Sequence, residues 1–485
     1  VSFASQEWTN DTPTDFSPLG KEFDPRRFWD ILCQLTGEVI KKATIAVGDI
    51  VAVSAAGQRQ GVVFLDKEGN ELYAGPNTDL RALAEGFAID NEFGSEVYRI
   101  TGRTPSFLFT PAKLRWFRSN LPHIHRRITT VLSISDWVTY RLSGERTAEL
   151  SSASDTGLVD IHQSRWSGRL VEMLGLPQGI YPEISRAGTR VGRVTAAAAE
   201  QTGLAAGTPV VTAGADSQCG LLGMGRKDEG QVGIMAGWSG CVQMVTAQPI
   251  IDSGGRIWAS CHVLPRKWVL ESNAMESGGA YQWLKELIYH GSNTAEDGYN
   301  LMDRMAQETV SGAEGVLAFL GPRLMDMSRL RLSQGGFVFS ITPSVTHVRM
   351  KHLIRAALEN LCFAFKANYT QLEEVSGLRV KEVSIGGGLA QSHALVRILS
   401  DVLDMPVICP ETAQVTSWGA AMCAAVGSGA YADLEQAMEA MRPKSRVLEP
   451  NPKSAEGYLR HYQRWLSIGK RIEDLSEERN EQLEL

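Results

Sequence analysis

The sequence predicts a mixed α/β protein whose two halves face each other across a cleft. In each half a strand-like run ends at a glycine-rich turn and leads into a helix, at residues 383–388 in the second half and 210–216 in the first. A short polar segment, 225–230, links the halves, and the length of 485 residues suits two or three domains better than one. Two α/β halves of this kind predict a cleft to which each side contributes part of one site.

The elements of the first half follow from local signals. Asp24 predicts the start of a helix over 26–42, and residues 195–202 predict a second helix. Runs of apolar residues predict strands at 50–54, 61–65 and 208–212. Because residues 66–70 have the composition of a turn, we expect 61–74 to form a hairpin.

The second half shows a strand at 231–235 and then stronger helix patterns. Residues 350–372 predict a long helix, since apolar side chains recur there at i, i+4 spacing. The segment after the glycine turn is amphipathic, with one apolar face made of Leu395, Ile398, Leu399 and Val402. A further helix is predicted over 418–426, ended by the glycines that follow, and the charged tail after Pro452 predicts a solvated helix.

Composition and charge exclude several classes of protein. A net charge of −7 argues against nucleic-acid binding, which normally requires a basic surface. No apolar run approaches the roughly 20 residues of a membrane helix, and the first residues show no secretory signal. The seven cysteines form no CxxC pair and no cluster with histidine at metal-binding spacing. We therefore expect a cytoplasmic protein without a nucleic-acid or membrane partner and without side chains dedicated to a metal.

The glycine run is the first candidate for ligand binding. Gly386, Gly387 and Gly388 would let backbone N–H groups approach a phosphate closely, and the dipole of the following helix would favour the anion. A tight turn that only permits close packing of helix and sheet explains the same pattern. No Walker loop, protein-kinase signature or GxGxxG fingerprint accompanies the run.

The strand end of the first half carries a carboxylate, Asp216, where the second half has glycine. A carboxylate at the mouth of a strand can accept the proton of an attacking hydroxyl, and a general base contributes about 10²–10⁴ in rate. A role as N-cap of a helix over 217–222 explains Asp216 equally well. From spacing alone, both interpretations stay open.

Longer segments share the pattern of one known family. They lie at 104–120, at Ser135-Asp136-Trp137, Leu142-Ser143-Gly144-Glu145 and Thr156-Gly157-Leu158, at 207–225, at 385–401 and at Gly419-Ala420-Ala421. Together they resemble the FGGY carbohydrate kinases of the actin/hexokinase-like ATPase superfamily over nearly the whole chain. The resemblance implies two ribonuclease H-like domains flanking a central cleft, an N-terminal sugar-binding domain at 1–226 and a C-terminal nucleotide-binding domain at 227–485. The family's catalytic aspartate corresponds to Asp216.

On the sugar side, the resemblance implies substrate contacts from two segments. Gln58, Arg59 and Gln60 follow a strand where the family places polar contacts, while Asp79 and Arg81 match its WxDxR motif, with asparagine in place of the tryptophan. Arginine and aspartate supply directional, charge-assisted hydrogen bonds to neighbouring hydroxyls. A surface pair of Asp79 with Arg81 is the alternative interpretation.

On the nucleotide side, the resemblance implies contacts from two turns and the start of a helix, namely Gly237, Ser239, Gly386, Gly387, Gly388 and Ser392. One departure concerns the family's Gly-Thr-Ser turn, which is Gly237-Trp238-Ser239 here, so a phosphate-facing threonine hydroxyl is lost. Ser239 or backbone N–H groups would have to replace it.

A second departure concerns the start of the chain. The family's first strand carries an Asp-x-Gly-Thr motif for metal-nucleotide phosphates, and this sequence starts after that point. Either further residues precede Val1 or the protein lacks this loop, and the otherwise intact pattern favours the former.

Within the family, several segments resemble the autoinducer-2 kinase branch, and 262–283 also resembles xylulokinases. The resemblance thus implies a kinase that uses ATP and Mg²⁺ to phosphorylate a primary hydroxyl of a small ketose or open-chain, sugar-like substrate. Three alternatives are a non-catalytic sugar or nucleotide sensor on the same scaffold, a glycerol or other polyol kinase, and an ATPase chaperone. The oligomeric state stays open, a homodimer included.

Overall fold

The computed structural model describes residues 2–13, 19–289, 298–329, 333–341 and 347–482. The first part of the chain forms small sheets, and the second part forms one seven-stranded sheet and a two-stranded ribbon. Within the described ranges, no helix combines the length and the apolar character that crossing a bilayer requires.

The strands before residue 226 are β1 (Val53–Gly57), β2 (Val62–Leu65), β3 (Glu71–Gly75), β4 (Thr130–Ser133), β5 (Ala148–Glu149), β6 (Val159–Asp160), β7 (Arg165–Trp166), β8 (Ile184–Ser185), β9 (Arg190–Arg193) and β10 (Pro209–Ala215). They form two three-stranded sheets, ordered β1-β10-β9 and β3-β2-β4, and the two-stranded pairs β5-β8 and β6-β7. The helices are α1 (Pro25–Ala43), α2 (Leu83–Thr101), α3 (Thr110–Asn120), α4 (Pro122–His125), α5 (Ile134–Ser143), α6 (Leu150–Ser154), α7 (Gly168–Met173), α8 (Ala196–Thr202) and α9 (Asp216–Gly223).

The strands of the second part are β11 (Val232–Ala236), β12 (Ser239–Thr246), β13 (Trp258–Cys261), β14 (Trp268–Glu276), β15 (Leu317–Phe319), β16 (Gly336–Val338), β17 (Val383–Gly386), β18 (Val407–Pro410) and β19 (Ser445–Leu448). The seven-stranded sheet has the order β13-β14-β12-β11-β17-β18-β19, and β15 pairs with β16. The helices are α10 (Gly278–Ile288), α11 (Gly298–Gln307), α12 (Met350–Ser376), α13 (His393–Leu403), α14 (Val415–Ser428), α15 (Leu434–Ala440) and α16 (Pro452–Gln482).

The predicted helices and the hairpin are present. The side chain of Asp24 caps α1, the strands of the predicted hairpin pair as β2 and β3, and the apolar face of α13 is buried. Two boundaries differ from the prediction. The first strand starts only at Val53, where pairing with Val210 of β10 begins, and a 3-10 turn at Val47–Asp49 precedes it. Helix α14 continues through Gly427, whose missing side chain leaves room for Val211, and ends at the left-handed Gly429.

Parallel pairing brings the functional strand ends together within each part. β1 pairs with β10 in parallel, with Gly57 opposite Ala215, so the segments that follow both strands emerge at one edge. β11 pairs with β17 in parallel, with Met235 opposite Gly386. Ligands of such sheets bind outside the carboxyl ends of the strands, so these edges are where a site is expected.

Helix α14 holds the two parts together next to the first of these edges. It crosses α9 at a pair of glycines so closely that a β-carbon on Gly419 would lie 1.9 Å from the carbonyl oxygen of Cys219. A β-carbon on Gly223 would lie 2.0 Å from the carbonyl oxygen of Val415. Since only glycine fits at this crossing, the start of α9 is fixed relative to the second part of the chain.

Candidate active site

Asp216 is the first residue of α9, directly after β10. Its Oδ1 accepts a hydrogen bond from the N–H of Ser217 at 2.7 Å, and the hydroxyl of Thr416 donates to its backbone carbonyl at 3.1 Å. The N-cap position is Ala215, so the interpretation of Asp216 as the N-cap is wrong. The Asp216 side chain is 42% exposed, which leaves the carboxylate accessible to a ligand.

The surroundings of Asp216 make its carboxylate more basic than usual. Partial burial raises the pKa of this carboxyl to about 6, against the lowering effect of the Arg59 guanidinium. The Nε of Arg59 lies 3.8 Å from Oδ1 of Asp216. The negative charges of Asp155 and Glu271 add to the upward shift of the pKa. A carboxyl with a pKa near 6 is still ionised at pH 7 and accepts a proton more readily than an ordinary aspartate.

Arg59 joins the two parts of the chain beside Asp216. Its guanidinium forms a bidentate pair with Glu271 of β14, with Nη2 2.9 Å from Oε1 and Nη1 bonded to Oε2. Both side chains are buried, Glu271 almost completely. Burial alone would raise the pKa of Glu271, but Arg59 outweighs it and the pKa falls to about 2. The pair therefore stays charged and fixes the guanidinium next to the candidate base.

Two further residues, Gln243 and Asn273, bind the Arg59–Glu271 pair. Neither of them, nor Glu271, was identified from the sequence. Gln243 donates to Oε2 of Glu271 at 2.9 Å and to the hydroxyl of Ser217 at 3.2 Å, while Asn273 donates to Oε1 of Glu271 at 3.4 Å. The sequence does contain a signal for them, because Glu271, Gln243 and Asn273 are polar residues inside strand-like apolar runs. Buried polar groups need partners, so such residues indicate either a network or a site.

A second buried ion pair, also missed, lies close by. Arg103 and Asp155 are bonded to each other and essentially without exposure, and the guanidinium lies 5.1 Å from the ring centre of Trp258. Nε and Nη1 of Arg103 and Oδ2 of Asp155 have no hydrogen-bond partner. Burial raises the pKa of Asp155, and Arg103 and Arg59 both act to lower it. The electrostatic coupling places this pair in the same polar cluster as Arg59.

The three residues after β1 occupy the turn that leads to β2. Gln58 is exposed, and its Oε1 accepts from the N–H of Asn77 at 3.2 Å. Arg59 points to Glu271, as described. Gln60 has a left-handed backbone with φ 60°, and its Nε2 is buried without a hydrogen-bond partner. The structure thus brings this segment to the same edge as Asp216, as expected from the parallel pairing of β1 and β10.

Asp79 and Arg81 lie elsewhere than predicted. The Asp79 carboxylate is fully buried and accepts from the N–H of Lys21 at 2.9 Å, from the hydroxyl of Tyr73 and from Nε of Arg81 at 2.8 Å. The Arg81 guanidinium also pairs with Glu22 at 2.7 Å. Because every bond of this carboxylate is made within the protein, the predicted sugar contacts of the pair are not supported. The alternative of a surface pair is wrong as well, since both side chains are buried.

Replacing Asp79 with alanine should therefore reduce stability and not catalysis. Removing one partner of a buried ion pair typically costs about 3–5 kcal/mol, and because Arg81 keeps its pair with Glu22 we expect a loss at the low end of that range. We expect a lower midpoint of thermal unfolding and an unchanged kcat for the folded enzyme. Glu38→Ala, which removes an exposed pair with Lys42, is the matched control. A raised KM for the sugar at unchanged stability would contradict this assignment.

The three consecutive glycines have different roles. A β-carbon on Gly386 would lie 2.7 Å from a methyl group of Val415, and one on Gly387 would lie 2.7 Å from the carbonyl oxygen of Ala236. Gly387 also has φ 98°, which favours glycine. Only Gly388 faces open space, with no atom within 4 Å of a β-carbon built there. Two glycines thus serve the packing, and the third borders open space.

The turn at Gly237 lies against this glycine run. A β-carbon on Gly387 would be 3.3 Å from the backbone nitrogen of Gly237, so the two predicted nucleotide segments meet at one edge of the large sheet. Ser239 begins β12 directly after this turn. Ser392 has a different task, because it caps α13 and its hydroxyl donates to Asp303 while accepting from Leu395 N–H. The single hydrogen of the Ser392 hydroxyl is thus used within the protein, which argues against the predicted nucleotide contact.

The fold matches those of solved sugar kinases. A crystal structure of a xylulose kinase from Rhodospirillum rubrum superposes with a TM-score of 0.81 at 25% identity, covering 97% of this chain and 93% of that one. A glycerol kinase from Plasmodium falciparum, crystallised with ADP, superposes with a TM-score of 0.78 at 18% identity, covering 93% of this chain and 91% of that one. These similarities define the class: the two-domain α/β fold of sugar kinases, with a cleft between the domains.

Sequence comparison identifies the family. The model of the N-terminal domain of the FGGY family of carbohydrate kinases matches residues 1–223, and the model of its C-terminal domain matches 232–428. The chain belongs to the FGGY family of carbohydrate kinases, and it is an ATP-dependent phosphotransferase with an alcohol group as acceptor. Among its relatives are autoinducer-2 kinases of Enterobacter sp. (strain 638) and Yersinia pseudotuberculosis, which are 30% and 31% identical to it. In both alignments 96% of this chain matches 89% of the relative. The predicted family and fold class are confirmed, and the sensor, polyol-kinase and chaperone alternatives are not favoured.

Proposed function

We propose that this kinase phosphorylates a primary hydroxyl of autoinducer-2 or a similar short, open-chain sugar, with a small ketose such as xylulose as the related substrate. The observation that carries the proposal is the accessible Asp216 carboxylate, with a pKa of about 6, next to the fixed Arg59–Glu271 pair. The Arg59 guanidinium, 3.8 Å from Asp216, would bind an acceptor oxygen next to the reacting hydroxyl. The names of the relatives, autoinducer-2 kinase and xylulose kinase, support the same substrate class.

The mechanism follows from the two charged groups at the strand end. Asp216 accepts the proton of the attacking hydroxyl, or a hydrogen bond from it, and so orients its oxygen towards the phosphoryl group. Arg59, held by Glu271, supplies donors for a neighbouring substrate oxygen and keeps Asp216 ionised at neutral pH. Gln60, whose amide nitrogen lacks a partner, is the next candidate for contact with the acceptor.

In this proposal the nucleotide binds at the edge of the large sheet, across the cleft from Asp216. The open space at Gly388 and the adjoining turn at Gly237 fit a phosphate chain approached by backbone groups. Mg²⁺, when bound, would neutralise charge on the transferred phosphoryl group. Asp216, whose carboxylate is accessible at the strand end, would be the residue of this chain available to such an ion.

A reducing, cytoplasmic environment is part of the proposal. All seven cysteines are buried free thiols. Disulfides are rare in reducing compartments, so this pattern supports the location that the sequence predicts.

A panel of acceptors tests the substrate proposal. The panel contains autoinducer-2 precursors, five-carbon ketoses, hexoses and glycerol, each assayed by coupled detection of ADP. We expect the autoinducer precursors and five-carbon ketoses to give the highest kcat/KM. A hexose or glycerol preferred by tenfold or more, about 1.4 kcal/mol, would defeat the substrate proposal and leave the kinase assignment intact.

The pH dependence of kcat/KM should reflect the protonation of the Asp216 carboxyl. A base must be deprotonated to act, so kcat/KM should fall as the pH drops through about 6, where this carboxyl takes up its proton. Between pH 7 and 8 the rate should be level. The residual activity of the Asp216→Asn variant should lack this acidic limb, and a limb shared by both proteins would show that another group, ATP included, is titrating.

Two substitutions distinguish the glycine that borders the proposed nucleotide site from the one that serves packing. Gly388→Val should weaken ATP binding at least tenfold at unchanged stability, because the side chain enters the open space. Gly387→Ala should instead destabilise the protein by about 1–3 kcal/mol, since the residue needs a left-handed backbone and has a carbonyl at 2.7 Å. Calorimetric titration and thermal unfolding measure the two effects. Unchanged ATP affinity in the Gly388→Val protein would show that the whole run is a packing turn.

A further inference from the structure

A cavity of about 520 Å³ opens on the first part of the chain, outside the site described above. It lies between the last turn of α2, the hairpin of β6 and β7, and the first residues of α7. Its volume falls within the range of about 300–1,000 Å³ that is typical of small-molecule sites. The described residues that line it lie at 99–100 and 160–169, so they are distinct from those of the candidate active site.

Three arginines give the cavity a positive charge, although the chain as a whole has a net charge of −7. Nη2 of Arg99 and Nη2 of Arg169 lie 2.8 and 2.7 Å from the same oxygen, Oε1 of Glu96. One carboxylate thus holds two exposed guanidinium groups side by side, and a positive charge remains. The third arginine, Arg165, is also held in place, because its Nε donates to Oε1 of Gln163 at 2.8 Å.

Asp160, an acidic residue in the wall of the cavity, is used within the protein. Its Oδ1 accepts from the backbone N–H groups of His162 and Gln163 at 3.0 and 3.1 Å, and its Oδ2 accepts from the Gln163 amide at 2.8 Å. These donors offset its charge and fix the turn of the hairpin. Nε2 of His162 lies 3.1 Å from the carbonyl oxygen of Arg99 and donates to it, which ties the hairpin to α2. The arginines therefore stand on walls that are already ordered.

The lining indicates the class of ligand. Ile100 and the half-buried Trp166 lie among the lining residues beside the arginines, so the cavity offers an apolar surface as well as charge. Guanidinium groups are planar and bind phosphate oxygens through paired hydrogen bonds. A phosphate monoester carries a charge of about −1.5 to −2 at neutral pH, which matches the arginines, and its carbon skeleton can lie on the apolar surface.

We propose that this cavity binds a small phosphate monoester, the class of compound that a kinase with an alcohol acceptor releases. The site is separate from the cleft in which the phosphoryl group is transferred. The inference goes beyond the proposed function, because it does not depend on which alcohol is phosphorylated.

Calorimetric titration of the full chain with ribose 5-phosphate and with inorganic phosphate, at constant ionic strength, tests the site. Wild-type protein should bind one more equivalent of the ester than a double variant, Arg165→Gln with Arg169→Gln, whatever amount binds in the cleft. Each single substitution should weaken this binding about tenfold, the scale of one hydrogen bond to a charged group. Inorganic phosphate should bind there at least about tenfold more weakly than the ester, since it has no carbon skeleton to contact the apolar surface.

Arg193→Gln is the matched control. Arg193 is an exposed arginine of β9 whose Nη1 donates to the carbonyl oxygen of Gly207, and it is not among the lining residues. This variant should bind the ester as the wild-type protein does. All the variants should unfold at the wild-type temperature, because exposed arginines contribute little to stability.

Three results would overturn the inference. The same number of bound esters in wild-type protein and the double variant would show that the cavity binds none. An equal loss in Arg193→Gln would show a general attraction of anions to exposed arginines. Inorganic phosphate that binds as tightly as the ester would show a simple anion site and exclude a phosphate monoester as its specific ligand.

Discussion

Asp216→Asn should remove most phosphoryl transfer while leaving the fold and sugar binding nearly unchanged. Asparagine keeps the shape of the side chain and its bond with the N–H of Ser217, but it cannot accept the proton of the substrate hydroxyl. Loss of a general base lowers the rate by about 10²–10⁴. The loss should appear in kcat, with KM for the sugar little changed, because the interaction strengthens only in the transition state.

Steady-state kinetics with a matched variant decide this prediction. Asp228→Asn changes an exposed carboxylate in the link between the two parts, where the described hydrogen bonds are made by the backbone N–H and carbonyl. It should leave kcat unchanged. An Asp216→Asn enzyme that keeps more than about a tenth of the wild-type kcat would exclude Asp216 as the base, since a general base contributes at least about 10².

The parts of the site that could be predicted from the sequence are those set by local patterns. The glycine run and the apolar face of α13 each lie within a short segment, so their position at a strand end follows from periodicity and turn composition. The position of Asp216 at the end of a strand follows from the sequence in the same way. The structure adds that packing and backbone geometry require glycine at 386 and 387, and that of the three glycines only Gly388 borders open space.

The parts that could not be predicted depend on contacts between distant segments. Arg59 and Glu271 are 212 positions apart, and nothing near either residue indicates the other. Asp79 and Arg81 show the reverse case, since their motif predicts substrate contacts and the structure has both in a buried network. A motif of five residues does not reveal burial, and Tyr73 and Glu22, which complete this buried network, come from other segments.

Glu271→Gln should change the pH dependence of the enzyme as well as its stability. The substitution removes the charge that holds the Arg59 guanidinium and that helps to raise the pKa of Asp216. Asp216 then becomes the nearest charged partner of Arg59, which already lies 3.8 Å away. We expect the acidic limb of kcat/KM to move to lower pH, because both changes favour the ionised carboxylate. At pH 7 kcat should fall, since a carboxylate paired with a guanidinium is a weaker base.

The stability of the same variant supplies an independent measurement. Leaving Arg59 buried without its ionic partner should cost about 3–5 kcal/mol, whereas Glu374→Gln, at an exposed pair with Arg256, should cost about 1 kcal/mol or less. An unchanged acidic limb together with lower stability would show that the Arg59–Glu271 pair only joins the two parts of the chain. If the acidic limb of kcat/KM moves to lower pH in Glu271→Gln but not in Glu374→Gln, Glu271 sets the basicity of Asp216 from the opposite side of the cleft. In that case the basicity of Asp216 depends on the two parts of the chain being in contact, so any opening of the cleft that separates Arg59 from Glu271 would also lower the reactivity of the substrate hydroxyl.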